Sequence, residues 1–117
     1  MISNNTRKVW MNGKIIDETE AKISVYDSAL MYGDMVFEMT RSFGKKQFKL
    51  KEHIDRLYTG LKILRIPIEM TKEEMETHCY ETIESNEHLF KMAKLNAIDD
   101  GLVSEDLAHE LTFAVVE

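Results

Sequence analysis

Histidine, cysteine and serine side chains are the first candidates for chemistry in this chain. The four histidines are His53, His78, His88 and His109. No two of them have the i, i+4 spacing of a helical zinc pair. Neither Cys79 nor any serine lies in a nucleophile motif, and Gly33 lacks the glycine-rich surroundings of a phosphate-binding loop. These residues alone therefore predict no metal centre and no nucleophilic catalyst.

Arg56 and the segment Met35–Phe43 hold the remaining candidates. Arg56 follows Glu52 by four residues, so on a helix the two form an ordinary surface ion pair, which is the favoured interpretation of Arg56 in isolation. Strand alternation along Met35–Phe43 puts one set of side chains on one face and a second set on the other. The first set is Phe37, Met39 and Arg41, and the second is Val36, Glu38 and Thr40.

The first half of the chain predicts strands. Asn12-Gly13 stands between two apolar runs and predicts a hairpin, because both central residues of such a turn need positive φ. The alternation of Lys22–Val25 predicts a further strand. Asp27 predicts the N-cap of a short helical turn that Gly33 ends. Gln47–Leu50 predicts a short strand that returns alongside Met35–Phe43.

Helical patterns follow the strands. Ile54, Leu57, Leu61 and Leu64 fall on one stripe of a helix. Thr71 and Glu74 have the spacing of a capping box, and the helix after them predicts Met75 and Cys79 as core residues. Strands followed by helices predict an α+β domain, with an antiparallel sheet and two helices packed on one face.

Composition narrows the class of protein. The chain has 117 residues, which suits one domain. Its 15 basic and 21 acidic residues give a net charge of −6, which argues against a nucleic-acid partner. One cysteine excludes an internal disulfide framework. No apolar run resembles a signal peptide or a membrane span, so we expect no membrane partner and a cytoplasmic location.

Two motifs carry a resemblance to a known family. The first is Val25-Tyr26-Asp27-Ser28-Ala29-Leu30-Met31-Tyr32-Gly33-Asp34-Met35-Val36-Phe37-Glu38, continued by Thr40-Arg41-Ser42-Phe43. The second is Glu52-His53-Ile54-Asp55-Arg56-Leu57-Tyr58. Together they resemble the small N-terminal domain of the class IV aminotransferases, the fold-type IV enzymes that depend on pyridoxal 5'-phosphate (PLP). The resemblance covers Trp10 to Ile68 and extends loosely to Glu87.

The resemblance implies roles for particular residues. Arg56 would bind the phosphate of PLP, a role that suits the paired donors of a guanidinium. Tyr32, Phe37, Met39 and Arg41 would line the substrate pocket; alternatively, Phe37 and Met39 are core residues and Arg41 caps the sheet edge. Met35 stands where family members often have glycine. This difference changes the shape of the pocket, so the identity of the substrate stays open. Glu38 and His53 are expected to be structural.

The end of the chain resembles a piece of the family's large domain. Glu105 matches the glutamate that keeps the pyridine nitrogen of PLP protonated, although an unrelated exposed glutamate fits as well. The family's cofactor-holding lysine would lie in a stretch that is short here. Lys91 and Lys94 lack its scaffold, so neither is assigned and the catalytic residue stays unknown. We therefore expect a small domain over residues 1–90 and a large-domain remnant over residues 91–117.

The resemblance implies a function for the complete enzyme. An amino group would pass from an amino acid, with branched-chain amino acids as the candidates, through PLP to a 2-oxo acid. We expect this chain to be the N-terminal portion of such an enzyme, inactive alone and part of a homodimer. The alternative is a stand-alone dimerisation or interaction module derived from the same family.

Overall fold

A computed structural model of the chain describes residues 6–43, 46–88 and 110–116. The elements are β1 (Lys8–Met11), β2 (Lys14–Asp17), a 3-10 turn (Glu18–Glu20), α1 (Ser28–Tyr32), β3 (Met35–Phe43), β4 (Lys46–Gln47), α2 (Leu50–Leu64), α3 (Lys72–Ser85) and β5 (Glu110–Val116). The strands form two antiparallel sheets, one of order β1-β2 and one of order β4-β3-β5. The predicted α+β class, with small antiparallel sheets and packed helices, is confirmed.

The first hairpin forms where the sequence predicted it. Asn12 and Gly13 both have positive φ, 51° and 89°, which only a turn residue such as asparagine or glycine adopts at low cost. The side chain of Asn86, after α3, attaches this hairpin to the helix. Its Oδ1 accepts from the Lys8 backbone nitrogen at 2.7 Å, and its Nδ2 donates to the Lys8 carbonyl at 3.0 Å.

β3 is the central strand of the larger sheet. It pairs with β5 from Met35 opposite Val116 to Arg41 opposite Glu110. At its other end Ser42 and Phe43 pair with β4. β5 lies within residues 91–117, so this last part of the chain contributes a strand to the same sheet as β3.

Two helices cover the larger sheet and the hairpin. The stripe predicted for α2 is buried at Ile54, Leu57 and Leu61, each at most 2% exposed. Leu64 is exposed, because the helix ends there and the next residue is left-handed. α2 packs on β3 and on α3, which contacts β1 in turn.

The caps of the helices confirm local predictions. The Thr71 hydroxyl accepts from the Glu74 backbone nitrogen at 3.1 Å at the start of α3, and Cys79 is buried as predicted. Asp27 caps α1 by accepting from the Ala29 nitrogen at 2.9 Å. Gly33 then ends α1 in the left-handed conformation, at φ 73°.

The prediction of a strand over Lys22–Val25 is wrong, because these residues pair with no strand in the part of the chain that the structure describes. The Ser24 hydroxyl accepts from the Tyr26 backbone nitrogen at 3.1 Å, and the Ser24 carbonyl accepts from the Asp27 nitrogen at the same distance. These bonds close a turn that competes with strand pairing. The returning strand is also shorter than predicted, because Lys49 is left-handed and α2 begins at Leu50.

The helices of the described ranges are too short or too polar to cross a bilayer.

Candidate functional site

A carboxylate lies buried between β3 and α2. Alternation along β3 places Glu38 on the face of the strand that also carries Val36 and Thr40. The Glu38 side chain is 5% exposed. A buried carboxylate is costly unless charged or hydrogen-bonded partners compensate it, so its neighbours determine whether the position is tolerated.

α2 supplies two partners for this carboxylate. His53 and Arg56 are three residues apart and therefore share a face of the helix. Arg56 donates from Nε to Glu38 Oε1 at 2.5 Å and from Nη2 to Oε2 at 2.7 Å. His53 Nδ1 lies 2.7 Å from Oε2. We name these three residues the carboxylate cluster.

The electrostatics of the carboxylate cluster favour ionised Glu38. The hydrogen bond from Arg56 and, more weakly, that from His53 lower the Glu38 pKa to about 2, against the opposing effect of burial. The same contact raises the pKa of Arg56. Glu38 is therefore an anion, and Arg56 a cation, at any physiological pH.

The guanidinium of Arg56 also borders open space. The Arg56 side chain is 71% exposed. It lines an open depression of ≈ 540 Å³ together with Leu57 and Met35–Met39. Nε and Nη2 are bonded to Glu38, and among the described residues nothing accepts from Nη1. Donors therefore remain for an anion that enters from solvent.

The predicted pocket residues lie on the outer face of the sheet. Phe37, Met39 and Arg41 are exposed on the face opposite Glu38, as the alternation predicted, and Tyr32 is exposed at the end of α1. Phe37 and Met39 also line the depression beside Arg56. Their exposure excludes a core role within the described part of the chain.

The structure tests only part of the predicted site. Arg56 pairs with Glu38 instead of the predicted alternative, Glu52. His53 has a partner in Glu38, as expected of a structural histidine. Glu105, Lys91 and Lys94 lie outside the described residues. Within the described ranges, no group of histidine, cysteine and acidic side chains could hold a metal ion.

Sequence reasoning missed the pairing of Glu38 with Arg56. A signal was present, because a carboxylate on the inner face of a strand requires a cationic partner. The helix that carries His53 and Arg56 was the available source of partners for this carboxylate. Finding it required the knowledge that α2 packs on that face of β3, which no local pattern contains.

Comparison with known proteins gives consistent matches. The model of the family described as amino-transferase class IV matches residues 35–106. A provisionally named branched-chain-amino-acid aminotransferase of Methanocaldococcus jannaschii is 52% identical over 79 residues, which is 68% of this chain and 27% of that protein.

Solved structures of branched-chain aminotransferases share the fold. The Thermoproteus uzoniensis enzyme with norvaline has a TM-score of 0.65 at 35% identity, covering 69% of this chain and 29% of that one. The T.th. enzyme with pyridoxamine 5'-phosphate has a TM-score of 0.64 at 39% identity. The match covers 74% of this chain and 29% of that one. This chain thus spans less than a third of the length of each of these proteins.

Proposed function

The chain belongs to the class IV aminotransferase family, and from that premise we propose that it supplies the phosphate-binding small domain of a PLP-dependent amino-acid aminotransferase. The observation that carries the proposal is Arg56, whose guanidinium is fixed on one side by Glu38 and exposed to a depression on the other. The similar T.th. structure contains pyridoxamine 5'-phosphate, whose phosphate presents the same acceptors as that of PLP.

The described residues fit one end of this cofactor. The donors that Arg56 leaves unpaired suit the oxygens of a phosphate. Bound PLP supplies an electron sink for the transfer of the amino group. The role of this chain would be to hold the phosphate through Arg56, while Glu105 would contact the pyridine nitrogen.

The proposed substrates are an amino acid, of the branched-chain type, and a 2-oxo acid. Apolar Phe37 and Met39 beside the depression suit an aliphatic side chain, and Tyr32 and Arg41 would complete the pocket. Norvaline, which accompanies the T. uzoniensis structure, has such a side chain. We propose that the chain is inactive alone, because neither Lys91 nor Lys94 is assigned as the catalytic lysine.

The phosphate assignment is tested by binding PLP to Arg56 variants. Equilibrium dialysis of the whole chain would compare PLP with pyridoxal, which lacks the phosphate. Loss of charge-assisted hydrogen bonds worth about 1.5–3 kcal/mol predicts that Arg56→Ala binds PLP about ten- to a hundredfold more weakly. Pyridoxal binding should not change.

Two variants control this experiment. Lys62→Ala removes the same charge from an exposed position of α2 and should bind PLP like the wild type. Arg56→Lys keeps the charge but loses the paired donors, so its affinity should lie between wild type and Arg56→Ala. Equal PLP affinity in wild type and Arg56→Ala, or no preference of the wild type for PLP over pyridoxal, would remove the assignment.

A second candidate function is an interaction module that forms a homodimer. Exposed aromatic and aliphatic side chains on and near β3 favour it, namely Tyr32, Phe37, Met39 and Phe43, because large exposed apolar surface marks interaction sites. Light scattering tests it: a concentration-dependent dimer that Phe37→Ser disrupts supports the module, and a monomer at all concentrations rejects it.

A further inference from the structure

The guanidinium of an exposed arginine is normally mobile. The Arg56 side chain is mostly exposed, and an arginine in that situation loses rotamer entropy when it binds an anion. A contact that orders the guanidinium in advance would remove part of that cost. The carboxylate cluster contains such a contact.

Glu38 is itself held in place. Its backbone lies within β3, where the neighbouring positions pair with β5. Its side chain is almost fully buried, and His53 Nδ1 lies 2.7 Å from Oε2. Burial and the contact with His53 restrict the carboxylate, so it is a fixed acceptor for the Arg56 guanidinium.

The geometry of the pair decides which donors face solvent. A guanidinium has five N–H groups. Glu38 accepts one from Nε and one from Nη2, which leaves both hydrogens of Nη1 and one of Nη2. These three remaining donors point away from the carboxylate, and they suit the several acceptor oxygens of a phosphate monoester.

We infer that Glu38 is a positioning residue for phosphate binding: its carboxylate, held by His53, fixes the Arg56 guanidinium so that the Nη1 edge faces the incoming phosphate. This inference rests on the proposed function for its ligand, a phosphate monoester. The ordering of Arg56 is independent of any ligand and can be measured separately.

The first measurement follows the arginine side chains by nuclear magnetic resonance. In the whole chain labelled with ¹⁵N-arginine, the Nε–H signal of Arg56 should exchange with water at least tenfold more slowly than that of exposed Arg65. Glu38→Gln should abolish this protection. Asp55→Asn, which removes an exposed carboxylate beside Arg56 in sequence, should leave it unchanged.

The second measurement titrates inorganic phosphate and PLP. Glu38→Gln should weaken the binding of both by at least tenfold, with Arg56 itself still present. His53→Gln retains the Glu38–Arg56 pair but loosens the carboxylate, so we expect faster Nε–H exchange and binding weakened a few-fold. This variant keeps the inference testable if Glu38→Gln does not fold.

The outcomes separate the inference from the proposed function. An Arg56 Nε–H group that exchanges as fast as that of exposed Arg65 in the wild type would overturn the inference, whether or not the chain binds PLP. Unchanged phosphate affinity in a folded Glu38→Gln variant would overturn it as well. A protected Arg56 that Glu38→Gln releases, but that never responds to phosphate, would show that Glu38 orders Arg56 and would reject phosphate as the ligand, and with it the proposed function.

Discussion

Replacing Glu38 by glutamine removes the negative charge of the carboxylate cluster while it keeps the shape of the side chain. The pKa of Glu38 falls from an ordinary value of 4.5 to about 2 in the folded chain. Each pH unit between the two values is worth about 1.4 kcal/mol, so the ceiling on the stabilisation is about 3.4 kcal/mol. Because Arg56 is 71% exposed and solvent screens the pair, we expect about 2 kcal/mol.

The pH range of this effect follows from the direction of the pKa change. The folded pKa of Glu38 lies below the unfolded one, so the unfolded chain takes up the proton first as the pH falls. The stabilisation is complete above pH 4.5 and is lost as the pH approaches 2. Glu38→Gln should therefore be about 2 kcal/mol less stable than wild type near pH 7 and nearly equal to it near pH 2.

Urea unfolding followed by far-ultraviolet circular dichroism over this pH range measures the difference. Asp55→Asn is the matched control on the same helix, because Asp55 pairs with Lys72 at 3.0 Å in an exposed position. Its effect should stay below about 0.5 kcal/mol throughout. A deficit of Glu38→Gln that is the same at every pH, or absent near neutral pH, would refute the reasoning.

Two further substitutions test how the helices are held. A Cβ added at Gly60 of α2 would lie 2.9 Å from Val36 Cγ1, so overpacking should outweigh the gain in helix propensity and Gly60→Ala should lose about 1 kcal/mol. Adding Val36→Ala should reverse part of this loss in urea unfolding, and a stabilised single variant would contradict the close packing. Asn86→Ala removes hydrogen bonds to Lys8 at 2.7 and 3.0 Å and to the Thr82 carbonyl at 2.8 Å. We expect a loss of about 2 kcal/mol and faster proteolysis of the hairpin, and unchanged proteolysis would show that Asn86 does not attach it.

Local rules predicted the elements whose cause is local. The Asn12-Gly13 turn, the Thr71 cap and the Gly33 stop each depend on residues within a few positions of one another. The alternation of β3 also predicted which side chains face inward. These features need no knowledge of the tertiary fold, since backbone sterics and cap hydrogen bonds determine them.

Features that depend on distant residues were not predictable in the same way. Lys22–Val25 alternates like a strand but forms none, because no partner strand pairs with it in the described ranges and Ser24 instead closes a turn that reaches Asp27. The register of β3 against β5 joins Met35 to Val116, and no motif in either strand specifies that pairing. The assignment of Arg56 to phosphate came from the family motif and stays a prediction.

The carboxylate cluster is difficult to explain by stability alone. Replacing a buried ion pair with apolar side chains of similar volume is often neutral, or stabilising by about 1–4 kcal/mol. An apolar residue at Glu38 could therefore cover α2 as well as the glutamate does, and Arg56 could be solvated because it is largely exposed. What an apolar residue could not do is fix the orientation of the guanidinium. Local departures from the best packing are expected where a protein binds a ligand, and Glu38 is such a departure directly beneath the residue proposed to bind phosphate.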